Sequence, residues 1–200
     1  RCIRMKKFLS LILTVVMALG NCTVFADGDK TETEQKPDVL AQQLGFCDFD
    51  GQGSIVGGGS TYFDSDEHKN VAEIPAYGAI GLNFGKKINS GKVVMSYDIK
   101  FSEISACYIR TFTEENRGGT SFESLFFRND GYAYVSYENR QRYGEMPRRN
   151  YEKDKWYSVD IWYDFDNRIF KIYFDGMFLG QEKMCAELTE IASFAVFPTD

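Results

Sequence analysis

From Phe46 to the end of the chain, apolar and polar residues alternate in short runs, and Gly, Asn or Asp interrupts them every eight to twelve residues. Side chains on a strand point alternately to its two faces, so this rhythm predicts an all-β sandwich or barrel. No window of a dozen residues sustains a helical period, apart from a weak stretch at 182–191. Three strands read cleanly. In residues 92–101, Val93, Met95, Tyr97, Ile99 and Phe101 fall on one side and Lys92, Ser96, Asp98 and Lys100 on the other, with Val94 as the exception. Residues 122–128 and 131–138 alternate more weakly, because both faces carry rings, and Asn129-Asp130-Gly131 between them is a good turn sequence.

The stretch KWYSVDIWYDFDNRIFKIYFDG, residues 155–176, places eight aromatic rings among twenty-two residues. Tyr157, Val159, Ile161, Tyr163 and Phe165 form one unbroken apolar face, with Trp156, Ser158, Asp160, Trp162 and Asp164 opposite. Past Asp166-Asn167, Phe170, Ile172 and Phe174 are apolar, and Lys171, Tyr173 and Asp175 face the other way. A two-residue loop at Asp166-Asn167 pairs Tyr163 with Phe170, Ile161 with Ile172 and Val159 with Phe174; a four-residue loop shifts the pairs but keeps the parity. Asp175-Gly176 then turns the chain again, and Met177 and Leu179 are expected on the Phe174 side. The prediction is a three-stranded meander with one buried face.

Trp156-Tyr157, apolar Val159 and Ile161, and then Ile172-Tyr173-Phe174-Asp175-Gly176 with Gly180, together with SYDIKFSE at 96–103, resemble the concanavalin A-like lectin/glucanase superfamily in its laminin-G-like branch. The resemblance covers roughly residues 46–200 and implies an antiparallel two-sheet β-sandwich of the jelly-roll kind. It says little about ligand, because that superfamily holds lectins, glycosidases, lyases and adhesion modules. Such sandwiches close with a C-terminal strand beside the first, whereas this chain stops at FAVFPTD, one strand short of that pattern. Either the first sheet keeps an open edge or the sequence is a fragment of a longer protein. Open edges are a liability, which favours the fragment.

The N-terminus reads differently. From Met5, a basic pair (Lys6, Lys7), an apolar run from Phe8 to Leu19 and small Ala26 make a bacterial-type secretory signal peptide, too short for a comfortable membrane span. Residues 1–4 precede the first Met and read as upstream translation. Residues 1–26 are therefore expected outside the fold, 27–45 as a flexible linker, and 46–200 as the domain, secreted or at the cell surface. Residues 27–38 contain no large apolar residue and cannot build a core. Residues 1–26 hold four basic groups and no acidic ones, so the formal net charge of −6 becomes −10 without them. That balance argues against nucleic acid as a partner. The leader removes Cys2 and Cys22 from the count and leaves Cys47, Cys107 and Cys185, which allow at most one disulfide. Their wide spacing and the single histidine, His68, exclude a zinc site.

Catalytic strings are missing. The glucanases of the resembled superfamily carry E-x-D-x-x-E, and its jelly-roll lyases Q-[IV]-H; neither string occurs. Glycosidase carboxylates stand about 5–9.5 Å apart, whereas Asp160 and Asp164 are separated by about 13 Å of strand. Asp164 and Asp166 approach to about 7 Å but straddle a turn, where Asp is favoured for local bonds. For a lyase acting on uronate polymers, residues 139–155 supply Arg140, Arg142, Arg148 and Arg149 with Tyr143 and Tyr151 as candidate base or acid, although a solvated loop explains the same charges. Asp48–Gly51 and Asp64–Glu67 offer oxygen ligands of the calcium type without an EF-hand string, and no cofactor is assigned. What remains is the polar face of the hairpin: Trp162, flanked by Asp160 and near Lys171 and Tyr173, is a sugar-stacking surface in kind, with Tyr132 and Tyr134 on another strand as its extension. The expected function is a secreted, non-catalytic module binding carbohydrate or a cell-surface glycan, as part of a larger secreted protein. The alternatives are a lyase or hydrolase with an atypical site, or a structural spacer.

Overall fold

The computed structural model describes residues 7–12, 55–57, 60–64, 69–136 and 146–199. Cys47, His68, Arg140, Arg142, Tyr143, the linker and both acidic loops, apart from Asp64, lie outside those residues. Strands β1 (Lys7–Ile12), β2 (Ile55–Gly57), β3 (Ser60–Asp64), β4 (Lys69–Glu73), β5 (Ile80–Ile88), β6 (Lys92–Phe101) and β7 (Cys107–Phe112) are followed by a 3-10 turn at Glu115–Arg117. Then come β8 (Ser121–Phe127), β9 (Tyr132–Val135), β10 (Arg148–Asn150), β11 (Trp156–Asp164), β12 (Ile169–Phe174), β13 (Met177–Lys183) and β14 (Ile191–Pro198). They form two antiparallel sheets, β13-β12-β11-β6-β1-β4-β3 and β10-β9-β8-β7-β14-β5-β2.

The core is the set of residues that alternation puts on the inner faces. Val93, Met95, Tyr97, Ile99 and Phe101 of β6 are all buried, as are Tyr157, Val159, Ile161 and Tyr163 of β11 and Phe170, Ile172 and Phe174 of β12. Rings interlock across the gap: Phe122 meets Phe170 edge-on at 5.1 Å, Phe101 lies 4.8 Å from Phe127, and Tyr97 stacks on Phe194 at 6.0 Å. Aromatic pairs of this kind add about 0.5–1.5 kcal/mol each beyond the area they bury.

The hairpin pairs Tyr163 with Phe170, Ile161 with Ile172 and Val159 with Phe174, as the two-residue loop predicted, with residues 165–168 as the turn. Asp164 holds that turn by accepting from the Asn167 backbone N–H and side-chain amide, both at 2.9 Å. At the next turn Asp175 and Gly176 have φ of 53° and 73°, the left-handed pair that a tight hairpin turn requires.

Two expectations are corrected. A register shift between Ile172 and Tyr173 pairs Tyr173 with Phe178 and Ile172 with Gly180, so Leu179 alone packs against the core while Met177 is exposed. The stretch at 182–191 forms no helix: β13 runs through its start, and Arg168 donates to the Cys185 carbonyl at 2.6 Å and to that of Leu188, holding the chain in a turn. Residues 7–12 lie as β1 between β6 and β4 in this structure. They pair with β6 from Lys7↔Phe101 to Ile12↔Ser96, because the flank of β6 away from β11 presents a row of backbone donors and acceptors that an apolar, β-compatible stretch satisfies.

Candidate functional site

Trp162 sits on the outer face of the first sheet, between Lys171 of β12 and Val94 of β6. Buried Val94, the exception in the alternation of β6, supports the outer side of the sheet here. Beside Trp162 is a cleft of about 160 Å³, lined by Lys92, Trp162, Asp164, Ile169, Lys171 and Tyr173. Drug-sized sites measure roughly 300–1,000 Å³, so this cleft suits a single ring of a longer ligand. Lys92 and Asp164 form a loose ion pair at 3.7 Å across it. The indole Nε1 of Trp162 is shielded from bulk solvent and has no hydrogen-bond partner. A donor in that condition carries a desolvation cost until an acceptor arrives.

The residues expected around Trp162 divide. Lys171 lines the cleft, whereas Tyr173 is only 1% exposed. Its ring is held edge-on between Trp162 at 6.2 Å and Phe178 at 5.6 Å, so it braces the tryptophan from the floor. Asp160, 4% exposed, accepts a hydrogen bond from the Ser96 hydroxyl and belongs to the sheet's packing. Asp166 accepts from the Gly91 amide at 3.0 Å, tying the β11–β12 turn to the β5–β6 turn. Each of these carboxylates is engaged in building local structure.

Tyr132 and Tyr134 do not extend this surface: they belong to β9, on the outer face of the other sheet. There Tyr134, 1% exposed, packs with Phe126 and Met146. Its hydroxyl donates to Asp130 at 2.8 Å, and Arg148 donates to it at 3.5 Å. Strand register strings a row across this face: Arg148↔Tyr134, Tyr134↔Phe126, Phe126↔Tyr108 and Tyr108↔Phe197. Phe126 stacks on Tyr134 at 5.2 Å and 11°, and on Tyr108 at 6.2 Å. Sequence reasoning passed over Tyr108, Arg110 and Phe197; the alternation of CYIRTF, with Cys107 and Ile109 inward, was the signal that put Tyr108 and Arg110 outward.

Tyr151, a candidate acid or base from the sequence, is a structural clamp. It is 3% exposed, donates from its hydroxyl toward the Ser105 and Arg128 carbonyls at 2.7 and 2.8 Å, and accepts from the Ser105 amide at 3.1 Å. Burial pushes the inward Tyr163 phenol up to about 12, with the nearby Ser124 and Thr111 hydroxyls offsetting part of that rise without closing a full hydrogen bond. Cys185 is a free thiol, and burial raises its pKa, which makes it a poorer nucleophile.

Two antiparallel sheets around one aromatic core, with ring-bearing outer faces, define an all-β, two-sheet sandwich. In arrangement the chain is similar to a sialidase (TM-score 0.48, 20% identity), covering 62% of this chain and 11% of the sialidase's length. It is also similar to the Emp46p carbohydrate recognition domain in its potassium-bound form (TM-score 0.43, 12% identity, 72% of this chain and 81% of that one). A third likeness is to the endo-beta-1,3-glucanase from Pyrococcus furiosus (TM-score 0.41, 9% identity, 72% and 62%). These likenesses describe fold and not ligand. No protein-family model and no curated protein matches the chain.

Proposed function

We propose that this protein is an exported, non-catalytic β-sandwich module that binds carbohydrate in the cleft beside Trp162. The observation that carries the reading is the half-buried Trp162 ring at a cleft bordered by Lys92, Asp164 and Lys171. The indole ring stacks on the C–H surface of a sugar ring, and the amines and carboxylate take its hydroxyls. Asp160 and Asp166 are committed to Ser96 and to the Gly91 amide, and Tyr151 to three backbone groups. Those commitments weigh against hydrolysis or elimination by these residues.

A glycan array probed with the wild-type chain and with Trp162→Ala tests the reading. Binding by wild type that falls roughly five-fold or more in Trp162→Ala is expected, because losing about 1 kcal/mol or more of apolar contact at the ring is a factor of about five. Absence of binding by wild type across neutral and charged glycans, or equal binding by both proteins, would overturn it.

A further inference from the structure

We infer that the outer face of the second sheet is a separate binding surface for an extended polysaccharide bearing carboxylates, a polyuronate. Four arginines gather there, each over an aromatic ring. Arg110 lies 5.2 Å from the Tyr108 ring and 5.7 Å from that of Phe197, and Arg117 lies 6.0 Å from Phe197. Arg128 lies 5.6 Å from Tyr134, and Arg148 4.6 Å from Tyr132. The chain as a whole has a formal net charge of −6, so a cationic face on it is a local feature with a local consequence: it selects an anionic partner.

The ring beneath each guanidinium restricts its motion, and a planar fork matches a carboxylate in two-point fashion. Guanidinium already pairs with carboxylate on this face of the protein. Glu123 accepts from Arg110 Nε at 3.3 Å and from its terminal nitrogen at 3.1 Å, and Asp130 stands 3.6 Å from Arg128. The Arg128–Asp130 pair is solvent-exposed, with side chains 40% and 36% accessible. Exposed pairs hold weakly, so a sugar carboxylate exchanges with Asp130 readily. The row runs over five strands, β10-β9-β8-β7-β14, four strand spacings or about 19 Å. That span accommodates several sugar units of an extended chain and exceeds a single ring.

Affinity electrophoresis of the full chain through gels containing polygalacturonate, with heparin, polyadenylate and neutral dextran as parallel probes, tests this inference. Wild type is expected to be retarded by polygalacturonate, and retardation should weaken as salt rises from 20 to 300 mM. The double variant Arg117→Gln/Arg148→Gln, at surface positions outside the core, should bind roughly ten-fold more weakly, since two charge-assisted contacts are lost. Arg117→Lys/Arg148→Lys should recover only part of the affinity, because charge returns without the planar fork. Trp162→Ala should be retarded as wild type, which separates this face from the cleft of the proposed function. Absence of retardation by polygalacturonate, stronger retardation by heparin or polyadenylate, or loss of retardation in Trp162→Ala but not in the arginine variant would each overturn the inference.

Discussion

Replacing Tyr151 by Phe removes one oxygen and leaves the ring in place, so it isolates what the hydroxyl contributes. The ring packs 4.9 Å from Phe101 and 5.2 Å from Phe127, and Phe retains both contacts. The hydroxyl joins three segments: the β6–β7 connection through Ser105, the end of β8 through Arg128, and the chain leaving β10. Arg128's carbonyl keeps a second partner in the Gly131 amide at 3.1 Å. The cost therefore falls on Ser105, whose amide loses this acceptor and whose carbonyl loses this donor at a residue only 1% exposed. Leaving a buried polar group unmatched costs about 1–3 kcal/mol, and the two groups share one hydroxyl, so the expected loss is about 2–3 kcal/mol. For a chain of this size that lowers Tm by roughly 5–10 °C. Urea denaturation at pH 7 should show a lower midpoint with an unchanged m-value, alongside the lower Tm. A loss below about 0.5 kcal/mol would refute the clamp. Polysaccharide cleavage by wild type that vanishes in Tyr151→Phe at unchanged stability would restore the tyrosine as a catalytic group.

Tyr163→Phe tests burial through pH. The folded protein holds this phenol neutral to about 12, against an ordinary 10.0, so the unfolded chain releases its proton first; the stability is fully present below pH 10 and declines as pH rises toward 12. Between pH 8 and pH 11 wild type should lose about 1.4 kcal/mol more than Tyr163→Phe in urea melts, and equal losses would contradict the assignment. Gly81→Ala tests the close approach of β5 to β14: a Cβ there would stand 2.6 Å from the Phe194 carbonyl oxygen. Separating the strands should cost about 1–3 kcal/mol, and an unchanged denaturation midpoint would contradict that contact.

Parity along a strand was legible wherever one face meets the core. Residues 92–101 and the hairpin at 155–176 declared their inner faces residue by residue, and the register of Tyr163 with Phe170 followed from the turn. Parity does not say what covers the other face. Tyr173 alternates outward, yet the register shift beside it brings Phe178 over its ring, and that shift depends on pairing with a strand whose own alternation is weak. Nor does parity say which sheet a strand joins. Tyr132 and Tyr134 have the composition of a sugar surface and sit on the wetter side of β9, but hydrogen bonding to β8 and β10 carries them to the face opposite Trp162. The arginines and the rings beneath them were hidden for the same reason: together they are spread over ninety positions, from Tyr108 to Phe197, and strand register makes them neighbours.

The separation of the two faces has an energetic consequence. Sheets in a sandwich pack about 10 Å apart, and between these two lies a continuous layer of buried rings from Phe101 to Phe194. Trp162 and Arg148 therefore share no partner, and substitutions at the two should act additively within about 0.5 kcal/mol. The chemistry of the faces differs as well. Around Trp162 the charges are mixed, with Lys92 set against Asp164, which favours a neutral ring held by stacking and hydroxyl bonds and only weakly sensitive to salt. On the other face four guanidiniums lie over rings, so binding there should depend on ionic strength, since counterions screen exposed charges over about 8–10 Å at ordinary salt. Salt titration alone thus separates the two sites on the unmutated protein.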